Sequence, residues 1–242
     1  MRLAVSRSGA RKPRVSVVIP VLDEEARIGS QLESLALRPV HEVIVVDGGS
    51  RDATVATVAR SSAAGTARLL VAPRGRASQM NAGARAATGD VLLFLHADVR
   101  LPDDAVRRVE EALADSRVVA GAFRTWTVAE GRRSWLAPLL HLADLRSRYS
   151  PLPYGDQALF VRAEVFRNAG GYPEQPLMED LELSRRLRRL GRIRIVHSRV
   201  TVSGRRFLAR PVFYTFAVNV FPALYAAGVS AATLKRFYGD PR

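Results

Sequence analysis

Short apolar runs recur four times in the first hundred residues, and each ends in polar groups. Val15 to Pro20 leads to Asp23, Glu24 and Glu25; Glu42 to Val46 leads to Asp47, Gly48, Gly49 and Ser50. Ala67 to Val71 leads to Arg74, Gly75 and Arg76, and Asp90 to Leu95 leads to His96, Ala97 and Asp98. Runs this short and this rich in Val, Ile, Leu and Phe read as strands buried on both faces. Helical patterns fill the gaps: Ala26 to Ala36, Asp52 to Ser62, Ser78 to Ala87 and Pro102 to Asp115. Ser50 or Asp52 is placed to cap the second helix, Thr88 and Gly89 to stop the third, and Pro102 with Asp103 and Asp104 to start the fourth. Strands alternating with helices imply βαβ crossovers and a parallel sheet, whose strand carboxyl ends open along one edge. The acidic turns and the arginines are therefore expected to converge on one crevice.

The rhythm changes after Val118. Val118 to Trp126 reads as an edge strand, Trp135 to Ser147 as a helix, Asp156 to Arg162 as a strand, and Ala163 to Ala169 as a short helix closed by Gly170 and Gly171. Glu179 to Leu190 reads as a charged helix ended by Gly191, and Ile193 to Val202 as a last strand. There is no internal repeat and no low-complexity linker. Residues 1–14 read as a basic flexible tail, 15–120 as a first half that carries the polar turns, 121–205 as a second half, and 206–242 as a C-terminal helical segment.

Pro211 to Leu234 carries no charged side chain, although Pro, Asn, Gly, Ser and Thr dilute its hydrophobicity. Arg205, Arg206 and Arg210 precede it and Lys235 and Arg236 follow. Helices packed on the domain, an in-plane membrane contact and a true span are three readings of that stretch. The basic flanks suit anionic headgroups in the second.

Composition narrows the chemistry. The 242 residues are 48% hydrophobic and 25% charged, which fits a globular protein with a real core. Absence of cysteine excludes disulfides, thiolate zinc sites and cysteine nucleophiles. The net charge of +14, dominated by arginine, reflects either genome composition or an anionic partner. No nucleic-acid motif appears, so nucleic acid is not expected as that partner. The basic N-terminus lacks the apolar core of a signal peptide, so the expected location is the cytoplasm, peripheral to the inner face of the cell membrane if the C-terminal segment meets lipid.

Each polar turn has a chemical and a plain reading. Asp47, before two glycines, is able to accept from a nucleobase N–H or to close an Asx-turn. Asp98, at the end of an apolar strand, suits a hard cation such as Mg²⁺ or Mn²⁺. Arg74 and Arg76 fork onto phosphate oxygens, with Gln79 and Asn81 facing sugar or ribose hydroxyls, or else they form a solvated loop and helix cap. Glu179 and Asp180 are either reactive carboxylates or an acidic first turn that complements its helix dipole. His141 and His197 are given no role.

The turn from Pro20 through Leu22 to Glu24, the segment from Val46 to Asp52, and His96 to Asp98 occur in the order and spacing of family 2 glycosyltransferases. Together they resemble that family's Pro-x-Tyr-Asn-Glu, Val-Asp-Asp-Gly-Ser-x-Asp and Asp-x-Asp turns, over roughly residues 13–205. Length and the forms from Gly75 to Gly83 and His96 to Asp98 resemble a small bacterial subgroup named for carotenoid-acid or arsenosugar-type transfer. The resemblance implies a GT-A-type, Rossmann-like, mostly parallel α/β sheet flanked by helices, with an acceptor-side subregion and C-terminal helices.

It also implies that residues 15–120 form a nucleotide-sugar-binding half and 121–205 an acceptor-binding and catalytic half, with the following site roles. Pro20, Leu22, Glu24, Asp47, Gly49, Arg74, Arg76, Gln79 and Asn81 would hold the donor. Asp98 and His96 would hold Mn²⁺ or Mg²⁺, His96 standing where the family has an Asp. Asp180 would be the base and Glu179 its neighbour, raising its pKa by like charge. Gly155, Asp156 and Gln157 would line the acceptor side, and Arg205 and Arg206 would clamp phosphate. Gln and Trp of the processive members' Gln-x-x-Arg-Trp motif are absent, which argues against polymer synthesis.

The expected activity is inverting, metal-assisted transfer of a sugar from a nucleotide diphosphate sugar to a hydroxyl or carboxyl acceptor, small or lipid-linked. A nucleotidyltransferase is the competing enzyme, disfavoured by Asp23, Glu24 and Glu25 where a glycine-rich basic loop belongs. A basic membrane or nucleic-acid binder is the non-enzymatic competitor.

Overall fold

The computed structural model describes residues 12–129, 141, 144–145, 147–148, 150, 152–205, 208 and 210–239. The chain runs β1 (Val15–Val21), α1 (Glu25–Ala36), β2 (Glu42–Asp47), α2 (Thr54–Ala63), β3 (Arg68–Val71), α3 (Arg76–Ala86), β4 (Val91–Phe94), β5 (Val99–Arg100), α4 (Ala105–Leu113) and β6 (Val118–Val128). A 3-10 turn (Gly155–Gln157) follows, then β7 (Phe160–Arg162), α5 (Ala163–Asn168), α6 (Glu179–Leu190), β8 (Arg192–Ser203), α7 (Pro211–Ala226) and α8 (Ala231–Tyr238).

One eight-stranded sheet has the order β3-β2-β1-β4-β7-β6-β8-β5. Neighbours β3, β2, β1 and β4 are parallel, as are β6 and β8, while β7 runs antiparallel to both β4 and β6. The fold is thus the expected mixed α/β arrangement with a mostly parallel sheet and helices flanking it. Period-two alternation in the central strands feeds two separate cores. Val17, Ile19, Val43, Val45 and Leu93 pack with Ile28, Leu32, Val106 and Val109 on one face. Val18, Ile44, Val46, Leu92 and Phe94 pack with Met80, Phe166 and Leu187 on the other.

Three expectations need correction. The run ending at Val71 is a sheet edge and is not buried: Val71 is 75% exposed. Conversely, Val118 to Trp126 is not an edge strand, because β7 and β8 flank it. The strand expected from Asp156 shrinks to Phe160–Arg162; the 3-10 turn consumes its start, and Ala158 takes a left-handed conformation (φ 47°) that breaks extended geometry. Most of the helix expected at Trp135 to Ser147 lies outside the described residues. Of the tail, Lys12 to Arg14 is described, and Arg14 is fixed by Asp90 and the Thr88 carbonyl.

The uncharged stretch resolves into α7 and α8, with Gly228 at φ +98° between them. No helix among the described residues is long and apolar enough to cross a membrane. A small third core of Leu177, Ala217, Phe221 and Leu234 fastens this hairpin to the loop that starts α6.

Candidate active site

The crevice lies where the parallel strands end, as an open α/β sheet dictates. A cavity of about 620 Å³ is lined by Pro20, Leu22 and Glu24 after β1, by Arg74, Arg76 and Gln79 around the start of α3, and by His96, Asp98 and Glu179. A second cavity of about 160 Å³ is lined by Tyr154, Gly155, Asp156, Asp180, Ser203 and the inner faces of α7 and α8. Arg76, His96, Asp98 and Glu179 border both, so the two spaces meet at those four side chains.

Backbone geometry at the meeting point is unusual. Only three non-glycine residues among those described have positive φ: Asp23, Ala158 and Met178. Each sits in or beside a loop that lines a cavity, where strain of about 1–3 kcal/mol is held by surrounding structure. Met178 (φ 66°) swings the chain into α6 so that Glu179 and Asp180 open the helix at the crevice. Gly155 permits the closest approach: a Cβ there would lie 2.6 Å from Asp180 Oδ2 and 2.8 Å from His96 Cε1. Residues 96, 155 and 180 are thereby brought together.

Electrostatics centre on Arg76. Its Nε lies 3.0 Å from Glu179 Oε1 and its Nη1 3.8 Å from Asp180 Oδ2. These carboxylates hold the guanidinium firmly in its charged form. Burial, then the like charge of Glu179, push the Asp180 carboxyl up to about 7, while Arg76 pulls the other way, Asp156 adds to the rise and the Gly155 N–H opposes it. Asp180 Oδ1 is buried and accepts no hydrogen bond among the described residues. A buried, poised acceptor of that kind marks functional sites.

The other expected residues fall into two groups. Gln79, Asn81, Gln157 and Asp47 serve the framework. Gln79 Nε2 donates to the carbonyls of Val21 and Val46, tying the ends of β1 and β2 together. Asn81 exchanges two bonds with the Tyr172 backbone. Gln157 accepts from the Tyr154 N–H and donates to the Phe123 carbonyl. Asp47, 2% exposed, closes the Asx-turn: Gly49 and Ser50 N–H groups and the Ser50 hydroxyl donate to it. Asp47, Gly49, Asn81 and Gln157 line neither cavity. Glu24, by contrast, lines the larger cavity while pairing with Arg205 at 3.0 Å. Arg206 lies outside the described residues.

Sequence reasoning missed several lining residues. Glu174, Gln175 and Lys235 border the large cavity, and Tyr214, Phe221, Pro222 and Tyr238 wall the small one. Tyr172 is buried, its hydroxyl without a hydrogen-bond partner among the described residues, its phenol kept neutral by burial and by Asp180 and Glu179. Only Lys235, as a cation after an apolar run, carried any signal in the sequence.

The family model of glycosyl transferase family 2 matches residues 16–170. The chain belongs to that family. With the family shown, the nucleotidyltransferase reading gives way. Among curated relatives of this family 2 glycosyltransferase is the undecaprenyl-phosphate 4-deoxy-4-formamido-L-arabinose transferase of Pseudomonas aeruginosa (strain LESB58), 33% identical over 142 residues. The match covers 55% of this chain and 42% of that relative, so the chain spans under half its length. The Aeromonas hydrophila protein of the same name is 32% identical over 119 residues, covering 46% of this chain and 36% of its own.

Solved structures share the fold. The Pyrobaculum calidifontis mannosyltransferase PcManGT, in complex with GDP-Man and Mn2+, aligns with TM-score 0.60 at 22% identity over 78% of this chain and 56% of its own. Residues 1–349 of S. aureus TarS, in complex with UDP-GlcNAc, align with TM-score 0.62 at 16% identity over 93% and 70%.

Proposed function

We propose that this glycosyltransferase moves a sugar from a nucleotide diphosphate sugar, with inversion and with the help of a divalent metal, onto a hydroxyl or carboxyl group of a small or lipid-linked acceptor. The observation that carries the reading is the position of Asp180, raised in pKa and with Oδ1 accepting no hydrogen bond among the described residues, on the small cavity next to Glu179 and Arg76, where that cavity meets the larger one. The larger cavity takes the donor and the smaller one the acceptor; residues 15–120 then supply most of the donor side and 121–205 the base and much of the acceptor side. Arg74, Arg76 and the N-terminus of α3 face the diphosphate, combining charge with the backbone N–H groups of a helix's first turn. Asp180 accepts the acceptor's proton as the acceptor oxygen bonds to the anomeric carbon and the bond from that carbon to the diphosphate breaks.

The residues present fit a metal in a particular way. Among the described residues no group of three His, Asp or Glu is placed to hold an ion. Asp98 and His96 border the donor cavity. Few protein ligands suit an ion that takes its remaining positions from phosphate oxygens and water, and imidazole favours Mn²⁺ over Mg²⁺. When bound, the ion would neutralise charge on the diphosphate leaving group.

Asp180→Asn tests the assignment. Turnover, followed as release of nucleoside diphosphate, should fall by about 10²–10⁴-fold. Thermal shifts with a panel of UDP-, GDP- and dTDP-sugars, with and without Mn²⁺, should stay as in the wild type. Full activity in the variant removes Asp180 as the base, and a panel that shifts neither protein removes the nucleotide-sugar donor.

A further inference from the structure

Helices α7 and α8 form a hairpin with two unlike faces. The inner face places Tyr214, Phe221 and Tyr238 on the acceptor cavity. The outer face is apolar and open: Val212 is 72% exposed, Phe216 55% and Phe237 70%. Val212 and Phe216 are one helical turn apart, and Asn219 continues their stripe. The Asn219 amide nitrogen turns back to donate to the Thr215 carbonyl of its own helix at 2.7 Å, which mutes the stripe's polar position.

Charge sets the nature of the partner. From Leu183 to Gly239 the sequence contains no acidic residue and twelve Lys or Arg. Arg210 and Arg236 are exposed, two positions before Val212 and one before Phe237 along the chain. Arg185 of α6 lies over the Tyr225 ring at 5.3 Å, which joins the basic helix α6 to the hairpin. Exposed aliphatic and aromatic side chains bounded by cations, on helices not built to cross a bilayer, match an in-plane interfacial element.

We propose that the outer face of the α7–α8 hairpin docks on the surface of an anionic lipid bilayer, Val212, Phe216 and Phe237 entering the acyl boundary and Arg210 and Arg236 meeting headgroups. Since the inner face walls the small cavity, docking also sets that cavity beside the membrane, where a lipid-borne acceptor reaches Asp180 without leaving the bilayer. That consequence rests on the transferase reading; the docking does not, and its measurement requires no turnover.

The test is flotation of the full chain with vesicles of phosphatidylcholine alone or mixed with phosphatidylglycerol. The wild type should float with the mixed vesicles, weakly with phosphatidylcholine alone, and less as salt rises. The double variant Phe216→Glu with Phe237→Glu should lose at least about tenfold in partitioning. Its fold is checked by circular dichroism, and the double variant Arg210→Glu with Arg236→Glu, which leaves the apolar face whole, should lose the preference for phosphatidylglycerol. Wild-type protein that stays at the bottom with both vesicles overturns the proposal. So does undiminished flotation of the Phe variant. A wild-type dimer in the absence of vesicles that the Phe variant splits to monomers would give the face to a second copy of the chain instead.

Discussion

Asp180 and Arg76 make one titrating unit. A base must be ionised, so turnover should rise with pH through about 7, the position of the Asp180 carboxyl. Stability moves oppositely. The folded carboxyl holds its proton to a higher pH than the unfolded one, ordinarily about 3.9, so stability present at low pH is lost as pH rises from that value to about 7. Asp180→Asn should therefore melt higher than the wild type at pH 8, alongside its loss of activity; equal melting temperatures would contradict the burial argument. Arg76→Met removes the cation that opposes this rise, and the midpoint of its pH–rate profile should move above the wild-type value. It also leaves Glu179 and Asp180 without their partner, at a cost of about 2–3 kcal/mol, below the fully buried case because Arg76 keeps 29% of its surface. Denaturant titration at pH 8 measures that loss. Asp180 and Arg76 were legible in the sequence, whereas their pairing was not, since 104 positions separate them and neither lies in a periodic pattern that fixes the other.

Elements were read well wherever periodicity and terminators agreed. Helix α6 spans Glu179–Leu190 as expected, since an acidic first turn, an arginine-rich last turn and Gly191 all point to the same limits. The 3-10 turn was hidden because residues 156–162 hold enough apolar side chains to pass for a strand, although the turn takes the first two and Ala158's left-handed backbone follows. The roles of Gln79 and Asn81 were hidden for another reason. An amide offers donors and acceptors to sugars and to carbonyls alike, and the local sequence does not say which it meets. Helix α3 owes its position to Gly83: a Cβ there would lie 2.3 Å from Val18 Cγ1 and 3.0 Å from Val46 Cγ2. Gly83→Ala should cost about 1–3 kcal/mol through overpacking, despite the better helix propensity of Ala, and should weaken donor binding as α3 lifts from β1 and β2. An unchanged denaturation midpoint would mean that the helix shifts freely.

At the scale of the whole molecule, the larger cavity draws on the ends of β1 and β4 and on α3, α6 and α8, so a ligand filling it ties these elements together. Saturating the correct nucleotide sugar with Mn²⁺ at about 100 times its Kd should add about 2.7 kcal/mol, and so raise Tm by roughly 5–10 °C for a chain of this size. Chelation should reverse most of that rise if Asp98 and His96 hold the ion; a rise indifferent to chelator would place donor binding on Arg74, Arg76 and α3 alone. The C-terminal hairpin enters here too. Phe221 and Leu234 pack against Leu177, three positions before Asp180, so the apolar tail of the sequence is wall and brace for the crevice as well as outer surface.

The sequence by itself determined the alternation of strand and helix, the family, and the acidic and basic turns that gather at one sheet edge, because these follow from short-range periodicity and from motifs confined to a few residues. Tertiary structure decided the rest. It inserted β7 antiparallel within the sheet, closed the Asp47 turn on its own loop, set Arg76 beside two carboxylates of a distant helix and folded an uncharged stretch over the smaller cavity. Each of these depends on contacts between residues far apart in the chain, where burial and packing choose among partners that the local sequence leaves equivalent.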